Sequence, residues 1–510
     1  MRKILLPFII FILLFTSGCS LYSFDTGIKM DVPGNKSVPV HGKWKIIKCL
    51  KKENNSFVYQ SKSPWLKEGA QFSENAAKLG NEYWTNIGYK IKRIDPEDYF
   101  LFNIGAPIDS LGIKHKDINV ITVTSENRFL YDIIMTDDGS VMTLVDSSLL
   151  YLKKQSNAVD ISFDTLAINK SKERTAADTA SKNDTDPKSG VIIGIKSLKK
   201  TRNSHQGIQE YSYKSIWISA EKKVLHPILE TNGILLPRMD GFWKVKENRI
   251  VSGARDENMF SAEKFPVTEA PKAYSPAIGN NLWGNGKSSI YNNISYVGND
   301  YISIETIEMS KLKVNTKGSL TRLWLVPIDS LSKPKGVKIY DIAGQAGANA
   351  LKRAKSSLLK GLYLNNTREL NQAIEYEDFG IVRKTGHWVI KGRYSYMSRG
   401  VYYNDDYRIS LIPPSTVVYY DTLSVPWTAI KDRVPEAIDA FTSPKKDIAI
   451  IRTSQKLLVY AIDNGILSTS PLKKIKLHSG DSIIMAEWAS GKYVQKWEDI
   501  FKSDNARIVE

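Results

Sequence analysis

The sequence predicts a mainly β protein with a few helices (a β-rich α+β class), built from several antiparallel β-domains. Runs that alternate polar and apolar residues, or that are rich in β-branched residues, recur between positions 40 and 155. Two of these runs flank residues 136–140, where a glycine can take the positive φ of a hairpin turn. The last third of the chain again alternates short apolar runs with turns. A helical period appears at 492–502, where three aromatic residues share one face: Tyr493, Trp497 and Phe501.

The chain is too long for one hydrophobic core, so roughly two to four domains are expected. Residues 169–190 contain no aromatic residue and no Leu, Ile or Val, and they cannot bury enough apolar surface to offset the entropy of ordering. The predicted segments are a signal peptide at 1–18, a tether at 19–37, a β-rich domain at 38–155 for which a small barrel is an option, a linker at 156–190, a β-rich segment at 191–270, and a β-rich domain at 288–510 with helices near 345–360, 428–440 and 492–502.

The N-terminus has the order of a secretory signal peptide. An arginine and a lysine precede an apolar run at 4–15, which is shorter than the roughly 20 residues of a transmembrane helix. Ser-Gly-Cys at 17–19 resembles the end of the lipobox of bacterial lipoproteins, although Thr16 stands where that family prefers Leu. The resemblance implies an exported protein that fatty acid on Cys19, such as palmitate, anchors to a membrane at the cell surface or the periplasmic face. The alternative is an ordinary secretory signal with a chance cysteine.

The two cysteines exclude an internal disulfide framework if one of them carries lipid. Acylation uses Cys19 and leaves Cys49 without an intramolecular partner. Cys49 lies in a strand-like stretch at 45–50, and it is predicted to be a small buried hydrophobe rather than a nucleophile.

The formal net charge of +17 favours anionic surfaces through long-range attraction. Outside the cytoplasm the available anions are lipid headgroups and acidic envelope polymers, and nucleic acid is not an expected partner. The densest basic runs, 196–200 and 473–476, are short, and lysine is scattered along the whole chain. A general compositional bias therefore explains the charge better than a specific anion site does.

A Gly-x-Trp element opens the first predicted strand, with Gly42 and Trp44. The element resembles the first strand of lipocalin-like barrels. The resemblance implies a ligand-holding barrel in which Trp44 closes one end. The alternative is a tryptophan packed beneath an ordinary sheet.

A longer pattern, Arg-x-x-Gly-x-Trp-x-Val/Ile-Lys, occurs at 238–246 and again at 383–391. It predicts a tight turn at the glycine, followed by a strand that buries the tryptophan and the β-branched residue on one face. The arginine can stack on the indole ring. Trp243 and Trp388 are therefore predicted to be core residues, either of an internal repeat or of two similar hairpins.

Residues 443–488 predict a four-stranded antiparallel meander, with strands at 448–451, 457–462, 473–477 and 483–488. The pattern resembles one blade of a β-propeller. A closed propeller needs several blades, and the sequence shows no second blade as clear as this one.

No residue pattern marks a catalytic, cofactor-binding or metal site. No two of the six histidines lie within five residues of each other, so local His-x-x-x-His spacing is absent. Glu487 is the one acid embedded in an apolar strand. A buried carboxylate there suits a general acid or, alternatively, a salt bridge to a residue such as Lys492. Cys19 is the only functional residue that the sequence assigns.

Two classes of function remain. The first is a non-catalytic lipoprotein that binds or scaffolds a component of the envelope. The second is a hydrolase of envelope polymer or glycan that brings carboxylates together from distant strands. Two carboxyl groups roughly 5 to 9.5 Å apart in an aromatic cleft would favour the hydrolase.

Overall fold

A computed structural model describes most of the chain between residues 38 and 509. Cys19, the predicted signal peptide, the tether and most of the predicted linker lie outside the described residues. The described ranges are 38–53, 56–94, 96–104, 106, 108–111, 118–125, 128–136, 138–145, 148–160, 188–199, 209–252, 255–266, 288–310, 319–331, 334–364, 374–398 and 401–509.

The N-terminal part is a strongly curved antiparallel sheet, sheet A. Its order is β5-β4-β3-β1-β10-β9-β8-β7-β6, with β2 paired to the side of β1. Asn86 alone separates β5 from β6, so the two ends of the sheet meet and the barrel is nearly closed, which confirms the predicted barrel-like domain. Its strands are β1 Gly42–Glu53, β2 Ser56–Tyr59, β3 Gly69–Phe72, β4 Ala76–Leu79, β5 Glu82–Thr85, β6 Ile87–Ile94, β7 Ile118–Ser125, β8 Arg128–Met135, β9 Val141–Val145 and β10 Ser148–Ser156.

Side chains fill the interior of sheet A. Trp44 is 5% exposed, its Nε1 donates to the Val40 carbonyl at 2.8 Å, and the Lys154 ammonium lies 5.6 Å from its ring. Cys49 is buried with a free thiol, as predicted. The outer face is also apolar over β7 to β10, where it packs against Phe100 and the rest of a helical segment at Pro96–Tyr99 and Phe100–Ile104.

The remaining described chain forms four smaller sheets in a β-propeller-like arrangement. Short 3-10 turns lie at Pro64–Lys67, Ile108–Leu111 and Ile328–Ser330. The helices are α1 Ile339–Leu364, α2 Trp427–Arg433 and α3 Lys492–Ser503. The strands are β11 Lys188–Leu198, β12 Tyr211–Glu221, β13 Val224–Leu225, β14 Leu229–Asn232, β15 Ile234–Arg238, β16 Gly241–Ser252, β17 Arg255–Phe265, β18 Ser288–Val297, β19 Tyr301–Ser310, β20 Leu320–Pro327, β21 Phe379–Lys384, β22 His387–Ser398, β23 Val401–Arg408, β24 Asp439–Thr442, β25 Ile448–Arg452, β26 Lys456–Asp463, β27 Ile466–Leu467, β28 Lys473–Lys476, β29 Ser482–Ser490 and β30 Arg507–Ile508.

Sheet B joins distant parts of the sequence, in the order β29-β11-β12-β14-β30, with β13 on the side of β12. Sheet C runs β15 to β20, sheet D runs β21 to β23, and sheet E contains β24 to β28. The stretch 483–488, expected as the last strand of the C-terminal meander, lies in β29 and pairs with β11. The physical reason is that Val191, Ile192 and Ile193 of β11 are all fully buried, and a strand buried on both faces needs a neighbour at each edge.

The bounds of two helices differ from the predicted ones. The helix expected near 428–440 ends at Arg433, because Val434 precedes Pro435 and a residue before proline avoids the helical region. The β24 strand follows it. The helix near 345–360 lies within the longer α1, which is kinked at Gly344. In α3, Phe501 is fully buried and Trp497 packs on the core, whereas Tyr493 is 53% exposed. Among the described residues, no helix is long and apolar enough to cross a membrane.

The two Arg-x-x-Gly-x-Trp segments are hairpins with different registers. Arg383 lies directly opposite Trp388 across β21 and β22, whereas Arg238 lies opposite Gly241. In both hairpins the guanidinium covers the indole ring, at 4.9 Å from Trp243 and 5.1 Å from Trp388. The shared spacing of arginine and tryptophan therefore gives the same cation–π contact in two hairpins whose strands pair in different registers.

Candidate functional site: the inter-sheet groove

A groove lies where sheet B meets sheet C, and it is the site that the geometry favours. We define the inter-sheet groove as two chambers, of about 350 Å³ and about 230 Å³, that share Lys199 and Glu247. The larger, apolar chamber is also lined by Ser212, Tyr213, Asn232, Gly233, Ile234, Lys244, Val245, Lys246, Phe260 and Ile294. The smaller, polar chamber is also lined by Gln209, Glu210, Tyr211, Arg249, Asn258, Tyr291 and Asn293.

The floor of the apolar chamber is formed by buried aromatic and aliphatic side chains. The Tyr213 and Phe260 rings meet edge to face with centroids 5.5 Å apart, and Val245 and Ile294 beside them are buried. The Tyr213 hydroxyl accepts a hydrogen bond from the Ile294 amide at 3.2 Å. At the rim, the Lys244 ammonium is held by the Asp504 carboxylate at 2.6 Å.

The polar chamber is charge-balanced. Lys199 pairs with Glu247 at 3.2 Å, and Arg249 pairs with Glu210 at 3.1 Å. Glu247 also accepts a hydrogen bond from the Asn258 amide at 2.8 Å. Each acid of this chamber is thus held by a cation, which suits fixed hydrogen bonding better than proton transfer.

Asparagine side chains join the two strands beneath the polar chamber. β17 and β18 share a single ladder pair in the described residues, Glu257 with Ile290. The Asn258 and Asn292 amides make the remaining links: Asn258 Nδ2 donates to the Asn292 carbonyl at 2.8 Å, and Asn292 Nδ2 donates to the Asn258 carbonyl at 2.7 Å. Asn292 Oδ1 accepts from Thr306 at 2.7 Å. Both side chains are therefore used in holding the sheet together.

Asn293 differs from these neighbours. It is 5% exposed and lines the polar chamber, yet its side-chain amide makes no hydrogen bond to any residue that the structure describes. The groove therefore presents an amide NH2 and an amide oxygen to which no described residue bonds.

Tyr211 supplies a hydroxyl to the lining of the polar chamber. Burial, with a further contribution from the negative charge of Glu305, raises the pKa of Tyr211 above its ordinary value. The Lys196 ammonium lies 4.6 Å from its ring centroid, and the hydroxyl donates to Gln209 Oε1 at 2.7 Å. The phenol is therefore protonated and able to donate near neutral pH.

The structure places Glu487 away from the groove. It lies on β29 opposite Ile192, and the part of the chain that the structure describes offers it no hydrogen bond or ion pair, including none to Lys492. Burial raises the pKa of Glu487 to about 8, and the negative charge of Asp300 adds to this shift. Glu487 is thus a neutral carboxylic acid at neutral pH, but none of the residues of the inter-sheet groove faces it as a partner acid.

Replacement of this carboxyl by an amide should stabilise the protein in a pH-dependent way. The folded-state pKa of about 8 exceeds the ordinary value of 4.5, so the folded state keeps a proton that the unfolded state releases. Wild-type stability should therefore fall as pH rises from 4.5 to 8. Glu487→Gln should be nearly neutral at pH 4.5 and gain about 4 kcal/mol at pH 8, as measured by denaturant melts. An equal effect at both pH values would contradict the assignment.

A Ser–His–Glu cluster elsewhere does not form a nucleophilic triad. Glu498 Oε2 lies 2.8 Å from His226 Nδ1 and accepts from Ser219 Oγ at 3.4 Å. The acid thus stands between the serine and the histidine, and Ser219 is fully buried. Activation of a serine needs a direct contact with the base. Within the described ranges, no group of three or more His, Cys, Asp or Glu is placed to hold a metal ion.

No residue pattern in the sequence predicts the inter-sheet groove. One local signal was available: residues 291–293 read Tyr-Asn-Asn inside a strand, although asparagine is depleted in strands. The other walls come from β12, β14, β15, β16 and β17 and from the residues that follow β11. These elements meet only in the tertiary fold. Comparison of the chain with protein-family models and with curated protein sequences gave no match.

Proposed function

We propose that the protein is an exported, lipid-anchored envelope protein that binds a component of the envelope through the inter-sheet groove without catalysing a reaction. The observation that carries the binding role is Asn293, whose side chain lines the charge-balanced polar chamber without a hydrogen bond to any described residue. The Ser-Gly-Cys junction at 17–19 supports the anchor. The hydrolase alternative has weaker support, because Glu210 and Glu247 are each paired with a cation.

The anchor is tested by metabolic labelling with palmitate. Wild-type protein should incorporate the label and fractionate with membranes. Cys19→Ala should lose the label and appear in the soluble fraction or as unprocessed precursor. Cys49→Ala is the matched control, and it should keep the label because Cys49 is a buried core residue. An unlabelled wild type would refute lipid anchoring.

Groove binding is tested by co-sedimentation of the full chain with isolated, lipid-extracted envelope polymer. Arg249→Glu should abolish sedimentation, because it breaks the Glu210 pair and places two acids side by side. Arg353→Glu, an identical charge change on the exposed face of α1, is the control and should sediment like wild type. Equal losses in both variants would show a non-specific effect of the net charge, and no sedimentation of wild type would refute the proposed function.

A further inference from the structure

We infer that the polar chamber of the inter-sheet groove binds a neutral polyhydroxylated ligand, an uncharged oligosaccharide segment of an envelope glycan. This inference rests on the proposed binding function and adds the chemical class of the ligand. The rest of the chain carries a large positive charge, +17 overall, so the charge balance of the chamber is a local property.

The charges of the chamber argue against an ionic ligand. An anion would have to displace Glu247 from Lys199 or Glu210 from Arg249, and a cation would have to displace the two bases. The exchange of one ion pair for another returns little free energy after desolvation. A neutral ligand can instead form hydrogen bonds with the lone pairs and N–H groups that the two ion pairs leave unused, without breaking either pair.

The functional groups of the chamber match hydroxyl groups. A sugar hydroxyl donates one hydrogen bond and accepts others, so its best neighbours offer both a donor and an acceptor. The unpaired Asn293 amide offers both from one side chain. Gln209, the protonated Tyr211 hydroxyl and the Arg249–Glu210 pair offer further donors and acceptors around it.

The adjoining apolar chamber fits the other property of a sugar chain. Pyranose rings carry apolar C–H faces, which pack on aromatic and aliphatic surfaces. The chamber next to the shared Lys199–Glu247 pair is floored by Tyr213, Phe260 and Val245. A short oligosaccharide that crosses this pair would place hydroxyl groups in the polar chamber and a C–H face in the apolar one.

The test is calorimetric titration of the full chain with neutral and anionic hexasaccharides: maltohexaose, cellohexaose, chitohexaose and hexagalacturonate. At least one neutral hexasaccharide should bind, with an affinity that changes less than about twofold between about 50 and 500 mM NaCl, because no ionic contact is screened. Asn293→Ala should weaken this binding about tenfold, the equivalent of one lost hydrogen bond. Its melting temperature should be unchanged or higher, because the described fold makes no use of the amide.

Asn119→Ala, the same change at an exposed position of β7, is the control and should bind like wild type. Binding of hexagalacturonate alone, or binding that falls steeply with salt, would overturn the inference. Failure of every hexasaccharide would also overturn it. If envelope polymer still sediments wild type but not Arg249→Glu, the proposed binding function stands and only the ligand class fails.

Discussion

Trp388→Ala is expected to lower the free energy of unfolding by about 3 to 5 kcal/mol, the usual cost of truncating a buried aromatic residue. Trp388 is 2% exposed, and its ring meets Tyr296 edge to face at 4.8 Å. The Trp388 backbone amide donates to the Asp421 carboxylate at 2.7 Å, and the Arg383 guanidinium lies 5.1 Å from the indole ring centroid. Because a domain of ordinary stability has about 5 to 15 kcal/mol, the variant should be marginally folded.

The paired control is Trp243→Ala, which should cost about 1 kcal/mol or less. Trp243 is half-buried, and its contacts are the Asp240 carboxylate at 3.0 Å and the Arg238 guanidinium. Exposed contacts of this kind contribute about 0.5 to 1 kcal/mol. Denaturant melts followed by circular dichroism measure both variants. Similar costs for the two tryptophans would show that the difference in burial has no energetic consequence.

The sequence pattern predicted both tryptophans to be core residues, and for Trp243 that prediction was wrong. The spacing within the Arg-x-x-Gly-x-Trp motif determines the position of the turn, the start of the strand and the contact between the arginine and the indole ring. Both hairpins share these three features. It does not determine what lies beyond the hairpin. The turn after Arg238 carries Met239 into solvent, whereas the β21–β22 hairpin packs between other elements of the main core. Burial of an indole depends on those neighbours, which are distant in sequence.

The same limit applies to the sheets. The β-rich class follows from local alternation and turn residues, whereas the N-terminal barrel was implied only by the resemblance of the Gly-x-Trp element to lipocalin-like barrels. The structure confirms both the mainly β class and a nearly closed barrel-like sheet. The pairing of β11 with β29 joins segments that lie far apart in the sequence, and alternation alone cannot select that partner. The inter-sheet groove depends on such pairings, so its residues are recognisable in the sequence only as scattered polar positions in strands.

Arg383→Met is expected to cost about 3 to 5 kcal/mol, because it leaves two carboxylates in the core without their cation. The Arg383 side chain is 8% exposed, and its donors reach Asp439 at 2.9 Å and Asp421 at 2.7 Å. The Nη2 group of Arg383 donates to the Ala440 carbonyl at 2.6 Å. One guanidinium thus joins the β21–β22 hairpin, the Asp421 segment and β24.

Two further variants test how much of the stability lost in Arg383→Met is due to the buried charges of Asp421 and Asp439. Arg383→Lys keeps one positive charge but cannot reach two carboxylates in a fixed planar geometry, so it should recover only part of the stability. The triple variant Arg383→Met, Asp421→Asn, Asp439→Asn removes all three charges and should be more stable than Arg383→Met alone, because no ionised group is left buried without a partner. Melts of the three variants in guanidinium chloride measure the order. If the triple variant is less stable than Arg383→Met, the carboxylates act through their hydrogen bonds to the Gly386 and Trp388 amides, at 2.7 Å each, more than through the buried charge.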